Sequence, residues 1–127
     1  MGNQNSNFRE QLSERLLEFA SRIIKLEERL FKSYAGRHIF GQLFRSGSSS
    51  GANYEESIAG QSRADFIHKT QIVLKEVRGE SNYWLRLIRK AKLVEENDSD
   101  LNFLLQESFE FIKIFNSSVL TAKQSKK

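Results

Sequence analysis

Eight Lys/Arg residues and three Asp/Glu residues share positions 62–92, and two arrangements within that segment are suited to act on a phosphate. The first is Lys75, Arg78, Arg86 and Arg89. On a regular helix these fall within roughly 80° of arc and extend over about 20 Å. Phosphates follow one another every few ångströms along a nucleic-acid strand, so such a row can track a backbone without reading bases. Asn82 lies between its members and His68 on the same side. No aromatic platform interleaves with these charges, so base stacking is not expected on this face. The same row also fits a helix face that is simply solvated. The second arrangement is Arg63 and His68, in "RADFIH". Two residues at one spacing recur by chance in a basic helical chain, and no catalytic role is expected of them.

The remaining polar candidates read as structural. Glu55 stands at the edge of one apolar arc, and Glu76 and Glu80 flank another, while Arg45 and Asn53 project to the other side of their helix. Carboxylates at apolar edges find an arginine or amide partner because burying one alone is expensive. A polar network that sets helix register is therefore expected, and paired carboxylates for acid–base catalysis are not. Tyr83 and Trp84 read as packing or interface residues. With no cysteine, two histidines and Asp65-x-x-His68 as the one ligand pair, a di-iron carboxylate site lacks its Glu and His set. No cofactor or metal is expected.

The elements that must carry these residues follow from apolar spacing. A chain of 127 residues forms one domain with one core. The absence of cysteine excludes disulfides and thiolate metal sites, and no apolar run approaches the roughly 18 residues that cross a bilayer. The expectation is a soluble cytoplasmic protein. "MGNQNS" fits the myristoylation pattern at Gly2, although that glycine reads equally as a cloning remnant. The net charge of +4 is uneven: the cation-rich 62–92 segment is followed by residues 93–127, with four basic and six acidic side chains. That asymmetry suggests a basic surface offered to an anionic partner.

Four helical segments are predicted, at about 7–33, 38–59, 63–92 and 100–123. The first carries Phe8, Leu12, Leu16, Phe19, Ala20, Ile23, Ile24, Leu30 and Phe31 over half its circumference, and Gly36 suits a left-handed position past its end. The second contains "RSGSSSGANYEES", which has the composition of a linker. Yet Phe40, Leu43, Phe44, Gly47, Ser50, Gly51, Tyr54 and Ile58 share one arc, so the glycines sit in phase with the apolar face. The spacing predicts a helix whose centre is thinned at Gly47 and Gly51 so that another helix approaches closely. Ser62 and Asp65 cap the third helix, and Asp98 or Ser99 the fourth. In the fourth, Leu101, Leu105, Phe109, Ile112, Phe115 and Val119 make one face, while Phe103, Phe111 and Ile114 lie nearly opposite. Exposed, those three would form an association surface, so a homo-oligomer is expected.

"GQLFRSGSSSGANYEES", "SRADFIHKTQIVLKE" and "SNYWLRLI" together resemble the bacterial four-helix bundle proteins also called 23S ribosomal RNA intervening-sequence proteins. The resemblance is specific over about residues 37–93; "KEVRGESNYW" departs from it by one added residue at Gly79, which implies a one-residue bulge. It implies an all-α, antiparallel up-down-up-down four-helix bundle, assembled as a ring-like homopentamer, with no established catalysis. A related group comprises the accessory proteins of diversity-generating retroelements, whose partners are reverse transcriptase and nucleic acid. The R-x4-H spacing of Arg63 and His68 also resembles a class of all-helical ribonucleases, which implies an arginine that stabilises a phosphate oxyanion and a histidine that acts as acid or base, but Ala64 replaces the polar residue usual after that arginine.

The reading is a non-enzymatic oligomeric bundle that binds or scaffolds RNA, DNA or a ribosomal component through Lys75, Arg78, Arg86 and Arg89. The competing reading is a structural or protein-binding module that docks through Phe103, Phe111 and Ile114.

Overall fold

A computed structural model describes residues 2–60 and 62–124, and side chains from residue 7 onward within them. The pattern at Gly2 therefore lies outside the described side chains. Every regular element among the described residues is helical. These elements are α1 (Gly2–Ile24), α2 (Glu27–Leu30), α3 (Tyr34–Ile58), α4 (Arg63–Lys75), a π-helical turn (Glu76–Ser81), α5 (Asn82–Lys90) and α6 (Ser99–Gln124).

Around the bundle, α1 packs on α3, α3 on α4, α4 on α6, and α6 back on α1. The core residues of the first strut are Leu12, Leu16, Phe19, Ile23, Leu26 and Leu30, alternating steps of four and three. That repeat runs through the break at Lys25–Leu26, so α2 continues the seam of α1. The seam is narrower than the expected half-circumference. Phe8, Ile24 and Phe31 are exposed, because the bundle covers α1 on one side only.

Residues 45–57 are helix, as the phase of their glycines implies. A Cβ on Gly47 would lie 2.3 Å from Ile23 Cδ1, so α1 already occupies that space; one on Gly51 would meet Leu16 Cβ at an ordinary 3.6 Å. The buried face of α3 is turned from the expected one: Ile39, Ser46 and Ser57 join it, whereas Phe44 is exposed. Gly36 also differs from expectation. No described glycine has positive φ, and Gly36 lies in the first turn of α3, where Ser33 Oγ accepts its N–H at 3.0 Å. A Cβ there would fall 1.9 Å from the Leu30 carbonyl oxygen, so the requirement is for space between successive helices.

Ser62 Oγ accepts Asp65 N–H at 3.1 Å and starts α4, and Asp98 Oδ1 accepts Leu101 N–H at 3.0 Å ahead of α6. From Arg63 to Lys90 the chain is helical without interruption, and the extra residue near Gly79 is held in the π-helical turn.

Candidate nucleic-acid interface

Lys75, Arg78, Arg86 and Arg89 are all exposed. Arg86 Nε donates to Asn82 Oδ1 at 2.9 Å, and Arg89 donates to Asn102 Oδ1 on α6. Both partners are neutral amides. The π-helical turn alters the row, however. One added residue rotates the face beyond it by about 100°. The four cations consequently do not stand in the straight line that uniform helical geometry implies, and Arg89 reaches α6. Two further expectations need correction. Asn82 is buried and touches the row only through the Oδ1 that accepts from Arg86, and Tyr83 is an exposed aromatic with the Arg86 guanidinium 5.8 Å from its ring centroid.

Three arginines of α1 and α2 differ chemically from Arg86 and Arg89. On α1 and α2, Arg15, Arg22 and Arg29 are seven residues apart and all turn toward α6. Arg15 meets Glu107 in a two-pronged contact of 2.8 and 2.9 Å. Arg22 Nε lies 2.7 Å from Asp100 Oδ1, with its guanidinium 4.1 Å from the Phe103 ring centroid. Arg29 pairs with Asp98 at 2.6 Å and with Asp100 at 2.9 Å. The Glu107 hydrogen bond raises the pKa of Arg15. Burial alone would push the Asp100 carboxyl up, but hydrogen bonds from Arg22 and Arg29 outweigh it and hold the group below the ordinary carboxylate value. Much of the acidity of residues 93–127 is thus matched by helix-one arginines.

Arg45, expected to face away from the carboxylates, instead reaches Glu80 at 3.1 Å and Glu76 at 3.5 Å, and so ties α3 to the π-helical turn. Trp84 Nε1 donates to Glu80 at 3.4 Å. Glu55 is exposed, and Asn53 bonds the Ser49 carbonyl of its own helix. The spacing of charges did not disclose a buried polar seam. Ser46 Oγ and Ser81 Oγ are 2.7 Å apart, and Asn82 Nδ2 donates to Ser108 Oγ at 2.9 Å. Ser81 and Asn82 are consecutive and both buried, one serving α3 and the other α6. The loosened turn lets neighbours face both helices. Small polar residues in apolar phase were the available signal.

Phe111 is not an oligomer contact within reach of a second chain. It is fully buried, with its ring edge-on to Phe19 at 5.3 Å and tilted against Phe115 at 5.9 Å. Phe103 is half-buried under Arg22, and Ile114 is half-buried. The buried seam of α6 is Leu101, Leu104, Leu105, Ser108, Phe111, Phe115 and Val119. Leu101, Leu105, Phe115 and Val119 of the expected face are in this seam, but Ser108 holds its centre, so the face is rotated toward Phe111 and Phe109 is 48% exposed.

Arg63 and His68 are both exposed on α4. Arg63 lines a shallow depression of about 360 Å³ with Ser57, Ser62 and Phe66, and His68 is not part of its wall. No three His, Asp or Glu residues among those described gather as metal ligands, and no described helix is long and apolar enough to cross a membrane.

No curated protein matches the chain. A solved structure of a protein of unknown function from the S23 ribosomal protein family of Bacteroides thetaiotaomicron is similar, with 36% identity and a TM-score of 0.73 over 84% of this chain and 96% of that one. Residues 11–117 match the model of the family described as 23S rRNA-intervening sequence protein, a stretch that contains α2 to α5 and most of α1 and α6. The chain belongs to that family.

Proposed function

We propose that this protein is a non-enzymatic, cytoplasmic RNA- or ribonucleoprotein-binding scaffold that engages phosphates through Lys75, Arg78, Arg86 and Arg89. The observation that supports this is how the cations are distributed. Arg15, Arg22, Arg29, Arg45 and Lys69 are matched by carboxylates, whereas Arg86 and Arg89 meet only amides and remain uncompensated. The family and the relative carry 23S rRNA and S23 ribosomal protein in their descriptions, which favours RNA over DNA and a ribosomal partner over a reverse transcriptase. The retroelement branch rests on the sequence resemblance alone.

On the same reading the chain is an up-down-up-down four-helix bundle, with α1–α2, α3, α4–α5 and α6 as its members, and it forms a homo-oligomer with the pentamer as its expected state. Leu17, Ile24 and Phe31, seven residues apart on the uncovered side of α1–α2, are exposed and suit self-association.

RNA binding by the wild-type chain and by R86E/R89E, measured by fluorescence anisotropy across a salt series, tests the proposal. Four phosphate contacts on a single strand imply a slope of log K against log salt of about −3, and the double variant, whose row carries two cations and two carboxylates, loses the binding. Size-exclusion chromatography with light scattering should show unchanged assembly. Salt-independent binding refutes the proposal. Loss of assembly together with binding assigns the cations to the subunit interface instead.

A further inference from the structure

Lys92 has φ of 56°, in the left-handed region, and is the one non-glycine residue so placed among those described. Its N–H bonds the Arg89 carbonyl at 3.1 Å, and Leu93 N–H bonds the Ile88 carbonyl at 3.1 Å. This paired closure of a helix end ordinarily takes glycine, because a Cβ is strained there. Backbone geometry therefore argues against lysine. What lysine adds is a cationic side chain at a residue that lines a cavity of about 430 Å³, between the end of α5 and the start of α6. That volume lies within the range of small-molecule pockets.

Lys32 and Arg89 line the same cavity. Arg29 does too, but its charge is matched by Asp98 and Asp100. Lys32, Arg89 and Lys92 take part in none of the ion pairs found among the described residues. Glu95 and Glu96 also form part of the wall, with Leu93 and Leu101 as apolar surface. The carboxylates oppose a bare anion. A ligand that carries hydroxyl donors beside its phosphate satisfies both sets of charges, since carboxylates accept from hydroxyls and the cations donate to phosphate oxygens. Phosphate, hydroxyls and an apolar ring face are the parts of a ribonucleotide. Arg89 belongs to this cavity and to the exposed row alike, so the two adjoin.

We propose that the cavity built from Lys32, Arg89, Lys92, Glu95 and Glu96 holds the phosphorylated terminal nucleotide of an RNA strand. This rests on the RNA-binding reading of the adjacent row, and the test separates the two. Labelled RNAs of about twelve nucleotides, of one sequence with a 5′-phosphate, a 3′-phosphate or neither, are titrated against the full-length protein and K92G. One phosphorylated form should bind about fivefold more tightly than the unmodified strand, the size of one charge contact near a protein surface. K92G should abolish that preference and raise Tm by about 2 °C as the strain is relieved. Equal binding of all three RNAs overturns the terminal site and leaves the row intact. Failure of all three to bind overturns both. A preference that survives in K92G, or a K92G that lowers Tm, overturns the role given to Lys92.

Discussion

Gly47→Ala and Gly51→Ala, four residues apart on one face of α3, should change stability in opposite directions. Each gains up to about 1 kcal/mol of helix propensity from the substitution. At Gly51 the new methyl meets Leu16 Cβ at 3.6 Å, an ordinary contact, so most of the gain is kept. At Gly47 it would stand 2.3 Å from Ile23 Cδ1 and must open that distance by more than an ångström. Ile23 is wholly buried and Phe19 lies 3.6 Å from the same point, which leaves Cδ1 little room to swing away. Overpacking of this kind costs about 1–3 kcal/mol, so the net effect is a loss of about 1 kcal/mol. Ile23→Val removes the offending carbon. Alone it should cost about 1 kcal/mol as a small cavity. In its background Gly47→Ala should become neutral or stabilising, which gives a coupling of about 1–2 kcal/mol in a double-mutant cycle. Urea unfolding followed by circular dichroism resolves this, since 1 kcal/mol moves the midpoint by about 0.5 M. If Gly47→Ala stabilises as much as Gly51→Ala, or if Ile23→Val fails to rescue it, close helix approach is not the reason for the glycine.

Two further outcomes follow from the same packing and charge geometry. Phe111→Ala should cost about 3–5 kcal/mol by denaturant unfolding, whereas Phe109→Ala, on the 48% exposed ring, should stay within about 0.5 kcal/mol; equal effects would restore the discarded phase of α6. Asp100 is held below its ordinary pKa of 3.8 by Arg22 and Arg29, so its stabilisation is complete above that value and is lost as pH falls through the lower folded-state value. Asp100→Asn should therefore be less stable than the wild type at neutral pH and should flatten the acid limb of Tm against pH, and an unchanged acid limb would deny the arginine cluster that role.

Period and composition carried the all-helical class and the helical state of "RSGSSSGANYEES". Each is a local property, because apolar residues in phase at three and four steps can be buried together only on a helix. The missing proline and the capping residues Ser62 and Asp98 act within a few positions of themselves. Which residues of a wide apolar stripe are buried was decided by the neighbours. Phe111 and Phe109 are chemically alike and two positions apart, and only the approach of Phe19 on α1 sends one inside. Arg45 met Glu76 and Glu80, and Arg15, Arg22 and Arg29 met α6, because long side chains pair with whatever carboxylate the fold brings near. The basic row follows the same rule. Its residue types are written in the chain, but its shape depends on a π-helical turn that shifts every later side chain around the axis. The left-handed backbone at Lys92, just beyond the row, is visible only where the end of α5 closes. Periodicity is enforced by hydrogen bonds between near neighbours, whereas burial and charge pairing depend on residues far apart in the chain.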